Sequence, residues 1–209
     1  MIPLPKAWIR ERKNEFYYKK AKAENYRSRA TYKLVQANEK YGFIKLRDVV
    51  VDLGAAPGGW IQAARKVTGK HGFVLGVDLK PIEPFPQDYI RTIVADLTDP
   101  KIAEQILSFL PRRPDVVISD AAPNVTGIWE VDHALQIDLA TKAMDIALQI
   151  LRPGGNFFVK LFEGGLMNEF IQSVKCNFEE TKIVKPQASR AKSSEMYLLA
   201  LGSKNRLKE

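Results

Sequence analysis

"VDLGAAPGGW" (residues 51–60) passes from an apolar, β-branched strand straight into a glycine-rich loop, and the frame of that loop decides which α/β fold the chain adopts. A phosphate-cradling loop would follow its second glycine with Lys and Ser/Thr. Here Gly59 is followed by Trp60 and Ile61, so the cation and the magnesium ligand are missing. A dinucleotide fingerprint places glycines at G-x-G-x-x-G, and the frame puts Gly54, Ala56 and Gly59 there. The Ala56 methyl stands where a pyrophosphate needs bare backbone.

Outward from this loop, apolar runs alternate with helical patterns. Strands are predicted at 48–54, 73–78, 90–97, 115–122, 156–162, 181–186 and 195–202. Helices are predicted over 28–41, 59–67, 99–109, 132–151 and 166–176, the fourth of these stopping at Pro153-Gly154-Gly155. Near-continuous apolar strands separated by helices imply a parallel sheet covered on both faces. The segment between 186 and 195 is too short for a helical crossover, so the seventh strand must turn back antiparallel beside the sixth. Six parallel strands and one reversed strand predict a Rossmann-like, S-adenosylmethionine-dependent methyltransferase fold.

That ligand also suits the loop, being an adenosine compound without phosphates. Its ribose needs an acid at the end of the second strand, and Asp78 lies 20 residues after Gly58, the usual offset. Asp96 ends the third strand and is placed to accept from an adenine amino group. Taken alone, each is more simply a turn or cap residue; together with Asp52 they close three consecutive strands. Further along the same edge lie Asp120 ("SDAAPN"), Lys160 ("FFVKLFEG") and Glu195, which opens the reversed strand. An antiparallel strand starts where its parallel neighbours finish, so these three are expected to converge on one rim. Singly, Lys160 could be a lysine reaching to solvent and Glu195 a mere strand start.

The chain has 209 residues, enough for one domain, and 45% of them are hydrophobic, as in globular proteins. It has no apolar run of membrane-spanning length and no export signal, so a cytoplasmic protein is expected. Cys176 is the single cysteine, and His71 and His133 are isolated, so no metal site is expected. Charge is concentrated: residues 1–30 hold nine Lys/Arg against three acids, a surplus of six out of the net +8. Trp8, Phe16, Tyr17, Tyr18 and Tyr26 are interleaved with these cations. Such a segment suits phosphate contacts and base stacking, although a solvated basic helix has the same composition.

The blocks "RSRATYKL" (27–34), "DLGAAPGGW" (52–60), "SDAAPN" (119–124), "GGNFFVKLFEG" (154–164) and "KPQASRAKSSEMY" (185–197) resemble the FtsJ/RrmJ family of RNA 2′-O-ribose methyltransferases, in the family's order. The resemblance implies a catalytic tetrad of Lys33, Asp120, Lys160 and Glu195, and a donor site at Gly58, Trp60, Asp78, Asp96 and Asp120. Ala121 departs from the methionine expected in bacterial members. It also implies an RNA partner, first of all 23S rRNA of the large ribosomal subunit modified at a uridine, with tRNA as the alternative. With RNA as the partner, residues 1–26 become an RNA-binding arm (Arg10, Arg12, Lys13, Lys19), joined by Arg190 and Lys192; residues 27–203 form the catalytic domain, and 204–209 a charged tail. A monomer is the default.

The chemistry requires a base for the ribose hydroxyl, and Lys160 is the candidate, provided part of it exists as the neutral amine. Three rivals remain. A base methyltransferase would carry an Asn/Asp-Pro-Pro-aromatic turn, or a cysteine at the rim; "DAAPN" and Cys176 supply neither. An RNA-binding ribosome-assembly protein would not need the tetrad. A nicotinamide dehydrogenase is disfavoured by Ala56.

Overall fold

The computed structural model describes residues 6–189 and 193–204, with side chains from residue 15 onward. In chain order the elements are α1 (Lys6–Ala23), α2 (Thr31–Tyr41), β1 (Val49–Leu53), α3 (Gly59–Thr68), β2 (Phe73–Asp78), β3 (Ile90–Val94), α4 (Ile102–Phe109), β4 (Val116–Ser119), α5 (Trp129–Ile150), β5 (Asn156–Phe162), α6 (Met167–Asn177), β6 (Phe178–Val184) and β7 (Glu195–Ser203). The strands form one seven-stranded sheet in the order β3-β2-β1-β4-β5-β7-β6. The β1–β2, β2–β3, β1–β4 and β4–β5 pairs are parallel. β7 runs antiparallel to both neighbours and is inserted between β5 and β6. This is the predicted seven-stranded methyltransferase fold.

Every residue of β1 and β4 is buried, as expected of central parallel strands covered on both faces. One face packs against α4, α5 and α6 through Leu53, Leu75, Ile106, Ala143, Phe157 and Phe170. The other packs against α2 and α3 through Leu34, Val50, Ile61, Trp60, Phe158 and Tyr197. Strand alternation sorts these residues: Phe157 and Phe158 are consecutive, and each fills a different core.

Several boundaries differ from expectation: α2 begins at Thr31 rather than 28, α4 at Ile102 rather than 99, and β3 and β4 end at Val94 and Ser119, so that Asp96 and Asp120 follow their strands rather than end them. β6 begins at Phe178 rather than 181, because Glu179 and Glu180 are exposed on an edge strand and break the apolar pattern. α5 begins at Trp129 rather than 132, since its first turn is largely solvent-exposed and lacks a side-chain cap. The basic segment is helical over Lys6–Ala23 and docks through Ala21 on Tyr32 and Ala188. No helix among the described residues is long and apolar enough to cross a membrane.

Candidate active site

The parallel strands end on one edge, and the loops leaving β1, β2, β3 and β4 enclose a cleft of about 560 Å³ with α5 as its wall. That volume suits a small organic ligand. Gly54 makes the cleft possible: it has φ +77°, and an added Cβ would stand 2.6 Å from the Ala121 Cβ. Asp78 at the end of β2 accepts from the Ala56 and Lys80 main-chain amides, at 2.9 and 2.8 Å, which ties the glycine loop to the second strand. Asp96 lines the far side and accepts from the Thr98 amide at 2.8 Å. Hydrogen bonds from Thr98 hold its carboxyl below the usual aspartate range.

Asp120 lines the same cleft and also belongs to a cluster beside it. Lys160 Nζ donates to the Asp120 main-chain carbonyl at 2.6 Å and lies 3.1 Å from its Oδ1. Lys33, from α2, lies 3.9 Å from that Oδ1 and 2.7 Å from Glu195 Oε2. Lys33, Asp120, Lys160 and Glu195 are thus brought together from α2, from the residue that follows β4, and from β5 and β7. All four are largely buried, Lys160 being 6% exposed. Removing four charges from water is tolerable here because the cations and carboxylates balance. Burial alone would raise the Asp120 carboxyl. The Lys160 and Lys33 ammonium groups and the Tyr197 hydroxyl outweigh it, so Asp120 stays ionised below the ordinary range.

Several contributors were not singled out from the sequence. Tyr197 Oη donates to Asp120 Oδ1 at 2.7 Å, and Ser189 Oγ donates to Glu195 Oε1 at 2.9 Å. Gln136, from α5, donates to the carbonyls of Ala121 and Lys160 and so joins the ends of β4 and β5. Tyr197 could have been found by alternation, because it lies two residues after Glu195 on the same strand face. Asp52 in β1 is 0% exposed, and neither carboxylate oxygen has a hydrogen-bond partner. Burial, then the nearby charges of Asp120 and Asp78, push its carboxyl well above the ordinary value.

A strand-edge cleft rimmed by acids thus lies next to a balanced Lys/Asp/Lys/Glu cluster. Residues 26–203 match the FtsJ-like methyltransferase family. The chain belongs to that family. It is 50% identical over 194 residues to the ribosomal RNA large subunit methyltransferase E of Methanococcus maripaludis strain S2, covering 93% of this chain and 75% of that one. To the protein of the same name from Methanothermobacter thermautotrophicus it is 46% identical over 203 residues, covering 97% and 96%. A solved Plasmodium falciparum structure described as a ribosomal RNA methyltransferase superposes with a TM-score of 0.76 at 26% identity, covering 87% of this chain and 100% of that one.

For an FtsJ-like methyltransferase the small molecule is S-adenosylmethionine, and the residues present fit it. The donor carries ribose hydroxyls, an adenine amino group and a positive sulfur, and the cleft is lined by three carboxylates able to accept from or attract them, Asp78, Asp96 and Asp120. Gly58 and Trp60, named as donor residues from the sequence, lie apart from the lining of this cleft. A Cβ on Gly58 would meet Phe85 and Arg27. Trp60 is 3% exposed, donates its indole N–H to the Ala30 carbonyl at 2.9 Å, and stacks on Phe158. Lys19 is exposed on α1 and pairs with Glu15 at 2.6 Å. Arg10, Arg12 and Lys13 lie on the backbone of α1 with side chains outside the described residues, and Arg190 and Lys192 lie outside them altogether. Among the described residues no cluster of His, Cys, Asp or Glu is arranged to hold a metal ion.

Proposed function

We propose that this chain transfers a methyl group to a ribose 2′-hydroxyl of large-subunit ribosomal RNA, at a uridine, with Lys160 as the base. The observation that carries the reading is that Asp120 is shared: it lines the donor cleft, while its carbonyl and carboxylate hold the Lys160 amine. The bound donor supplies an electrophilic methyl on a positively charged sulfur. Asp78 and Asp96 bind the adenosine half by accepting from ribose and adenine. Lys160, as the neutral amine, takes the hydroxyl proton as the oxygen attacks the methyl carbon and the methyl–sulfur bond breaks, releasing S-adenosylhomocysteine. Asp120 and Glu195 then stabilise the resulting ammonium, and Lys33 holds Glu195 in place. The names of the archaeal relatives support ribosomal RNA as the substrate. The basic α1 segment supports contacts with its phosphates, and residues 1–26 serve as the RNA-binding arm of a monomeric cytoplasmic enzyme.

The test is to incubate the protein with labelled donor and either total RNA or large ribosomal subunits, then map the modified nucleotide. Label appearing on a base, or on tRNA alone, would overturn the reading. In the same assay Lys160→Ala is expected to lower the rate by about 10²–10⁴-fold while leaving donor binding by calorimetry intact. Asp78→Ala is expected to weaken donor binding first.

A further inference from the structure

Beside the catalytic cluster lies an aromatic surface that the chemistry above does not use. Trp129, the first residue of α5, is 44% exposed and stacks at 28° on Phe162, with ring centres 6.0 Å apart. It also stacks at 21° on His133, at 6.1 Å. Phe162 follows Lys160 by two positions on β5 and pairs in register with Glu195, so this stack adjoins the tetrad. Its position is fixed from beneath. Asp132 accepts from the Thr126 amide and hydroxyl and from the Gly127 amide at 2.6, 2.8 and 3.1 Å, pinning the loop that leads into Trp129. His133 Nε2 accepts from the Leu166 amide at 3.1 Å. Val125, Ile128 and Val131, close to Trp129 in sequence, are exposed.

We infer that Trp129 is a stacking platform for an unpaired base of the RNA, next to the nucleotide whose ribose reaches Lys160. The inference rests on the 2′-O-methylation reading and names how that substrate is held. Three features favour a nucleobase as the occupant. The rings of Phe162, Trp129 and His133 lie nearly parallel, and a base extends such a stack with its own π-face. The platform continues the catalytic rim through Phe162, the place a neighbouring nucleotide occupies once the target sugar is seated. The exposed charges next to Trp129 and Phe162 in sequence, Glu130 and Glu163, are acidic, so this surface suits base faces rather than phosphates. Sequence-selective RNA recognition works on splayed, single-stranded bases held in this manner.

The test uses the full chain carrying Trp8→Phe, which leaves Trp60, buried, and Trp129 of the three tryptophans. Oligouridylate is expected to quench the emission on titration, and an abasic ribose-phosphate strand of the same length is not. Trp129→Ala is expected to weaken oligouridylate binding about ten-fold, to leave the abasic strand unaffected, and to leave the salt slope unchanged. Trp129→Phe is expected to retain most of the affinity. Unquenched emission overturns the inference, as does equal loss on both strands. Full oligouridylate affinity in Trp129→Ala also overturns it and hands the surface to a protein partner. A protein that stacks oligouridylate on Trp129 yet methylates no RNA would sink the ribose reading while leaving Trp129 as a base-stacking platform.

Discussion

Asp52 in β1 and Asp120, which follows the adjacent β4, have opposite electrostatic fates. Asp120 is matched by two ammonium groups and the Tyr197 hydroxyl; Asp52 has no partner and two acids nearby. Because the folded protein raises the Asp52 carboxyl, the native state holds a proton that the unfolded chain releases. Its contribution therefore turns unfavourable as pH rises above the ordinary aspartate value. Asp52→Asn should gain stability relative to the parent as pH rises from about 4 to 7, read as a widening gap between denaturation midpoints. A constant gap would show that Asp52 is ionised as readily folded as unfolded. Tyr197→Phe should cost about 1.5–3 kcal/mol, as for a hydrogen bond to a charged acceptor, measured by urea unfolding. At this scale the sequence is eloquent about chemistry and poor about direction. Asp78, Asp120, Lys160 and Glu195 could be placed because strand ends share an edge. The inward turn of Trp60 could not, since a helix's first turn can face the cleft or the core.

The helices α2 and α3 meet through very small residues. A Cβ on Gly59 would stand 2.5 Å from Ser28 Oγ and 2.6 Å from Thr31 Oγ1, so the two helices approach closely at that point. Gly59→Ala should therefore push α2 outward at a cost of about 1–3 kcal/mol, the usual penalty of overpacking. Because α2 carries Lys33, methyl transfer should fall more than the thermal midpoint alone would imply. An unchanged midpoint and rate would mean that α2 does not rest on this glycine. The elements themselves were largely readable, since parallel strands buried on both faces leave runs such as "VVVDL" and "FVLGVD" that no loop would carry. What escaped were places where exposure disguises order. The edge strand β6 spends its first turn of sequence on Glu179 and Glu180, and α5 opens on solvent-facing residues.

Over the whole molecule, charge is organised by function. Asp115, like Asp120, is held below its ordinary value: burial opposes this, but Arg112, the Val49 amide and Arg152 prevail. These carboxylates stabilise the fold above the ordinary aspartate range, and that contribution is lost as pH falls through their lowered values. Acid unfolding should accordingly be steep below about pH 4, followed by circular dichroism. Neutralising Arg10, Arg12, Lys13 and Lys19 should flatten the dependence of log RNA affinity on log salt by about 3 if all four touch phosphates. An unaltered slope would remove the basic segment from the interface.

The placement of β7 has an implication for biosynthesis. It is the last strand of the sheet in sequence, yet it fills an interior slot, supplies Glu195 and Tyr197, and is the only described neighbour of β6. A polypeptide halted before residue 195 would lack the strand that joins β5 to β6, and with it the Glu195 partner of Lys33. The Lys33–Glu195 pair and the Tyr197–Asp120 hydrogen bond therefore form only after the seventh strand has been made.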